Sequence, residues 1–375
     1  TILLLSFSGC SIIGSKIFGG GFVFSFSSST TSSPDDTEEP LSAYLTDGEK
    51  ELIDKTGGSF GFEYLSKLSS PESRKAFYKQ LSEYCAAFHY GEKTAGYSMK
   101  CETNKEFYDQ MKDDIKGNGC AVAYELQVTG LSGDEASETL ALFKTDHPLY
   151  YWIPNYSVYY SSDSTGLIFP LLCLSDYSSP EERAALNTMI EAELDSLSSG
   201  TSELGSKYGL ALFAHNMIVD RIDYKMNGDV PSNDRSAHTI VGYLDRTGCV
   251  CDGFSATMAL FMNYLNIECI TVVNLDHSWN MIKLDDGEWY WVDVTYDDNG
   301  GDATTLFFAK NDTEDIFAGT KYIGSGNFIE NKHELLPPGN KDTKTRDGRS
   351  YGSLGIVIQP ELPERSGSPY SGPKS

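Results

Sequence analysis

The sequence predicts an α+β fold, with a cysteine-bearing helix packed on an antiparallel sheet that carries a histidine and an aspartate. A mainly helical lead-in precedes that core. Three observations point there. Across residues 41–200, helix-start signals recur ahead of apolar residues at helical spacing. After Cys251, small residues give way to Met258, Ala259, Leu260, Met262 and Leu265, again with helical period. Residues 268–295 are then rich in β-branched and aromatic side chains and are broken once, by an Asp-Gly turn.

The elements follow in order. Thr46 with Glu49 is a capping box opening the first helix. Ser70-Pro71 opens a second, which runs through Phe77, Leu81 and Cys85. Ser132 with Glu135 starts a third, and Asp146-His147-Pro148 closes it. Residues 150–160 are dense in aromatics and read as extended, and 167–174 is a buried-strand candidate. Ser179-Pro180-Glu181-Glu182 begins a fourth helix, and another covers about 207–221. His215 shares a face with Ala211, Leu212, Ile218 and Val219, which reads as a packed or hydrogen-bonded core histidine.

Composition excludes several roles. The 375 residues carry 29 basic and 54 acidic side chains, a net charge of −25. A polyanion would be repelled, so a nucleic-acid partner is not expected, nor a polybasic grip on anionic lipid. The eight cysteines are too sparse for a small disulfide scaffold and form no CxxC pair, so no zinc ribbon is expected. No cofactor or metal is expected. The acidic run Asp297-Asp298-Asn299-Gly300-Gly301-Asp302 lacks the ligand pattern of an EF-hand and reads as a solvated turn.

At the N-terminal end, Ile2 to Phe7 form a short apolar run closing in Ser8-Gly9-Cys10. It is similar to the back half of an export signal, and Cys10 resembles the lipidated cysteine of a bacterial lipobox, with Phe7 standing where Leu is usual. The alternative is an uncleaved apolar anchor. Either reading puts the rest outside the membrane, on a Ser/Thr-rich tether at 25–40. The expected organisation is therefore an export remnant and tether (1–40), a helical lead-in (41–205), a catalytic core (206–336) and a mostly disordered tail (337–375) with at most one added strand. The protein is expected to be exported and held at the cell surface as a lipoprotein, with secretion as the alternative.

Residues 248–298 carry the chemistry. Cys251 falls at a helix start, where unpaired N–H groups and the helix dipole favour a thiolate and can hold an oxyanion. Gly253 lets another group approach the backbone closely. His277 lies near the start of one run of the hairpin and Asp293 near the end of the return run to 295, at similar distances from the turn at 285–287, so the two are near-opposite. Cysteine, histidine and aspartate so arranged can supply nucleophile, base and orienter.

Val250-Cys251-Asp252-Gly253-Phe254-Ser255, then His277-Ser278-Trp279-Asn280, then 289–298 with Asp293 resemble the three signature blocks of the transglutaminase-like superfamily, in its bacterial branch. The resemblance implies a papain-like fold with Cys251 as nucleophile, His277 as base and Asp293 as its orienter. It covers about 207–298, and Asp146-His147-Pro148 with its following aromatics is similar to the helical lead-in of bacterial members. Ser278 stands where the family more often has Ala, and Tyr296 where it often has Trp. Cys249 adds a second thiol, read as a small buried residue, with a regulatory disulfide as the alternative.

The implied activity is a thiol acyl transfer on a protein or peptide amide or a Gln carboxamide. Water as acceptor makes a peptidase or amidase, and a primary amine makes a cross-linker; both share the thioester, so the residues leave the choice open. The competing reading is a surface binding or scaffolding protein that keeps the fold without turnover.

Overall fold

The computed structural model describes residues 5–6, 45–99, 105–162, 166–274, 277–298, 304–312 and 360–372. Cys10, the tether at 25–40 and the tail between 337 and 359 lie outside the described residues. The fold is mixed α+β with small antiparallel sheets.

In the lead-in, local capping chemistry places the helices. Thr46, Ser132 and Ser179 each accept a hydrogen bond from the N–H three residues on, and Glu49, Glu135 and Glu182 reach back to the cap, starting the helices Asp47–Thr56, Gly133–Asp146 and Pro180–Thr201. Pro71 sits at the first position of Pro71–Tyr90, where its missing N–H costs nothing.

Two features of this region depart from the sequence reading. The lead-in is rich in helices but also holds a sheet the sequence reading saw only in part: Cys120–Val128, which it passed over, pairs antiparallel along Gly166–Leu174, with Tyr160–Ser162 on the other edge. The strand Cys120–Val128 is buried along most of both faces, so it lacks the alternation that would have announced it. Residues 150–153 turn rather than extend: Tyr150 and Ile153 donate backbone hydrogen bonds to His147 and Tyr150 carbonyls. The aromatics here are core, and Tyr150, Tyr151 and Trp152 are buried.

In the second half, the helix Cys251–Tyr264 lies on a three-stranded antiparallel sheet in the order Trp289–Val292, Ser278–Lys283, Cys269–Val273. Both faces of this sheet are covered. Ile282 joins the large apolar core under the helix, whereas Trp279 and Met281 join Ile270, Val272, Trp291 and Leu362 on the far side. The return strand is shorter than the run to 295 that the sequence suggests. It stops at Val292, and Val294–Asp297 turns into a helix capped by Asp293.

The tail differs from expectation as well. Residues 360–372 wrap the Trp289–Val292 edge of the sheet, with Leu362 on its far face: Ser366 N–H donates to the Trp289 carbonyl at 2.9 Å. Arg365 stacks on Trp291 and forks onto Asp312 at 2.7–3.1 Å. Tyr370 stacks flat on Tyr208. The sequence hides this because the contacts are made by isolated side chains on an irregular backbone, with no periodicity to read.

The expected boundary at 205/206 falls between the helices Pro180–Thr201 and Lys207–Val219, and buried residues from both sides share one apolar core.

Candidate active site

The start of the cysteine helix is set by its neighbours. Val250 is extended and caps the helix without a side-chain hydrogen bond, so the first-turn N–H groups gain nothing from it. The Val250 N–H donates to the Ala237 carbonyl at 2.9 Å, which lies directly beneath the helix. A Cβ on Gly253 would stand 2.3 Å from that carbonyl oxygen and 2.8 Å from Cys249 Sγ. The close approach anticipated for Gly253 is therefore made by the chain's own backbone. Cys251 is 1% exposed.

The helix is tied to the histidine strand one turn on. Ser255 and Ser278 share a hydrogen bond of 2.7 Å between hydroxyls, and Asn280 Nδ2 donates to the Ser255 carbonyl at 3.1 Å. Ser255 is one helical turn from Cys251, and Ser278 is the neighbour of His277, so these bonds bring the cysteine and histidine blocks together.

His277 sits just before its strand. Its N–H donates to Asn274 Oδ1 at 2.7 Å, and its carbonyl accepts from the Asn274 N–H at 2.9 Å. Its Nε2 lies 2.6 Å from Asp293 Oδ2, with both side chains almost fully buried. Asp293 Oδ1 accepts from the Tyr296 N–H at 3.2 Å, so the same carboxylate caps the following helical turn and holds the imidazole. The imidazole is stacked between Trp279 and Tyr296, with ring centroids 5.6 and 5.0 Å away. Tyr296 thus stands against His277 at the position where the resembled family often has Trp.

Three further features bear on the site. His215 is a core histidine, as its helical face suggests, but its partner is long-range: Nε2 lies 3.0 Å from Asp297 Oδ2, with both side chains fully buried. Asp297 also accepts from Thr304 Oγ1 and the Phe307 N–H, and Asp298 accepts from the Tyr224 N–H. The start of the acidic run is therefore an internal anchor and not the solvated turn that the sequence suggests; its partners come from distant elements. Cys249 is a buried free thiol whose pKa is pushed well up by burial and, secondarily, by the nearby Asp252.

Sequence reasoning passed over the flank of Cys251. His238 Nδ1 lies 2.9–3.0 Å from both Asp252 oxygens, and its Nε2 lies 3.2 Å from the Ser232 carbonyl. No spacing rule links His238 to the blocks around it. Among the described residues no group of three His, Cys, Asp or Glu is placed to hold a metal ion.

No family model matches the sequence, and no curated protein matches it significantly. Among solved structures, one described as the crystal structure of a TGase aligns with TM-score 0.30 and 12% identity, over 63% of this chain. The aligned part spans 60% of that structure's own chain.

Proposed function

We propose that the protein is a transglutaminase-like cysteine enzyme that acylates Cys251 with a protein or peptide amide or Gln carboxamide. The observation that carries this reading is the buried 2.6 Å contact between His277 Nε2 and Asp293 Oδ2, at the end of a strand bonded to the cysteine helix. An aspartate bonded to Nε2 fixes the tautomer and makes Nδ1 the atom that serves the thiol.

The Cys251 thiol gives its proton to His277 Nδ1, and the thiolate attacks the amide carbon. The carbonyl oxygen becomes an oxyanion at the N–H groups of the helix start. Nδ1–H then protonates the leaving nitrogen, the C–N bond breaks, and a thioester remains. Water or a primary amine attacks the thioester, its proton passes to Nδ1, and the thiol is regenerated. Asp293 keeps its hydrogen bond to Nε2–H throughout. Export through the apolar N-terminal run, with Cys10 as lipid anchor, belongs to the same proposal and rests on the sequence alone.

One observation favours the other reading, a fold kept for binding: Cys251 is 1% exposed, so a substrate must displace neighbouring groups to reach it. Alkylation separates the two. Under the enzyme reading, iodoacetamide labels Cys251 faster at pH 6.5 than an ordinary thiol of pKa about 8.5 reacts. Labelling no faster than that, with Cys251→Ala leaving every function intact, sinks the enzyme. Incorporation of a fluorescent amine into a Gln-bearing protein, measured against release of new amino termini, then distinguishes transfer from hydrolysis.

A further inference from the structure

A cleft lies between the lead-in and the cysteine helix. One wall is the last turn of Gly133–Asp146 and the chain that follows it. The other is the Asp252, Ser255 and Ala256 face of the cysteine helix, with His238 and the strand Cys269–Val273. Asp252 follows Cys251, and Ser278, also in the lining, follows His277. Cys251 and His277 do not line the cleft themselves, but each is the chain neighbour of a residue that does, so the cleft adjoins the start of the cysteine helix.

The charged groups in its walls are not equivalent. Asp252 has both oxygens on His238, and His238 has its other nitrogen against a carbonyl. Asp146 accepts from the Gly61 and Phe62 N–H groups and from the Tyr78 hydroxyl. Lys144 differs. Its ammonium donates to Asn155 Oδ1, and among the described residues no carboxylate oxygen lies within 4.0 Å of it. An ammonium has three N–H donors, so one neutral acceptor among the described residues leaves two of them for a ligand.

We propose that this cleft takes the part of an acyl-donor peptide next to the attacked amide, and that Lys144 selects a donor carrying a carboxylate there. The proposal rests on the reading of Cys251 as the nucleophile and names the substrate class of that site. Burial holds the Lys144 pKa down to about 8, opposed in part by Asp252, so the resting cleft accommodates the ammonium poorly and a ligand carboxylate would relieve it. The chain's net charge of −25 repels anionic peptides at long range, so selection must come from this local contact. The carboxylate has two possible sources, an acidic side chain or a free C-terminus, with the same chemistry at Lys144.

The test is equilibrium binding of labelled peptides to the full chain carrying Cys251→Ala, which needs no turnover. Three Gln-bearing peptides are compared: one neutral and amidated, one with Glu beside the Gln, and one neutral with a free C-terminal carboxylate. The expected result is that at least one carboxylate peptide binds about tenfold or more tighter than the neutral one, as for a partly buried charge-assisted contact. Which one does so identifies the source.

Adding Lys144→Met should bring the preference within twofold. So should Asn155→Asp, which keeps the lysine and puts a competing carboxylate on its ammonium. Far-UV circular dichroism checks that each variant folds, and the second substitution serves if the first does not. Equal binding of all three peptides, a preference that survives both substitutions, tightest binding of the neutral peptide, or no binding at millimolar peptide would each overturn the proposal. Failure of the nucleophile reading looks different: wild-type Cys251 would alkylate no faster than an ordinary thiol, whatever the peptides do.

Discussion

Asp293 holds His277 with one carboxylate oxygen and caps the next helical turn with the other, at 2.6 and 3.2 Å. The two tasks can be separated by substitution. Asn in its place can still accept from the Tyr296 N–H through its own oxygen. Its amide N–H would then face His277 Nε2 and force the proton onto Nδ1, where it blocks acceptance of the thiol proton. Asp293→Asn is therefore expected to lower turnover by about a thousandfold or more while costing under about 1 kcal/mol of stability. Steady-state rates beside urea unfolding curves check both halves. A large loss of stability, or an unchanged rate, would remove Asp293 from the proposed mechanism.

The buried His215–Asp297 pair makes the opposite case, a contact outside the chemistry on which the site depends. Asp297→Ala would strip acceptors from His215, Thr304 and the Phe307 N–H together, inside the protein. Removing one partner of a buried pair costs about 3–5 kcal/mol. Unfolding free energy from urea melts should fall by that order. Because Asp297 closes the turn that Asp293 opens, Cys251 alkylation should slow as well. A cost below about 1 kcal/mol would show that the pair is not a structural anchor.

At the helix start, Gly253→Ala places a methyl 2.3 Å from the Ala237 carbonyl oxygen. That neighbour is backbone, so relief requires the helix start to move. Overpacking of this kind costs about 1–3 kcal/mol. The expected outcome is a lowered melting temperature together with slower Cys251 alkylation. A variant that melts like the wild type and alkylates at the same rate would mean the Ala237 segment yields freely.

What could be read in advance divides along the range of the interactions. The Thr46, Ser132 and Ser179 starts were legible because a capping box is complete within four residues. The hairpin was legible from its Asp-Gly turn, and alternation along Ser278–Lys283 does separate two faces, with Ile282 under the helix and Trp279 and Met281 on the far side. That the far face is also covered was not legible, because its cover comes from 360–372 through Leu362 and Arg365. Asp297 misled for the same reason: its partner His215 lies on a helix 82 residues earlier. Of the site, the Cys251, His277 and Asp293 blocks stood out as local strings. His238 and Lys144 did not: no spacing rule links His238 to Asp252 and Ser232, and Lys144 comes to the cysteine helix only when the lead-in packs against it.

Lys144 also carries a pH dependence with a definite sign. Burial lowers its folded pKa to about 8 from an ordinary 10.5. Folding therefore disfavours its charged form. The deficit is full below pH 8, shrinks between 8 and 10.5, and vanishes above 10.5, where the lysine is neutral in both states. Lys144→Met keeps an apolar stem of similar length and removes the charge. It should stabilise the protein at pH 7 by on the order of 1 kcal/mol, a figure discounted because the side chain is only half-buried. The gain over wild type should fade as the pH is raised from 8 to 10.5; comparing the two proteins at each pH cancels the titration of the other lysines. A residue that costs stability at rest is what a ligand-binding cation looks like, since stabilising it in place requires the ligand. Thermal melts across pH 7–10.5 check the sign. Lys144→Met less stable than wild type at pH 7, or a gain that grows with pH, would show that the ammonium is well accommodated without any ligand.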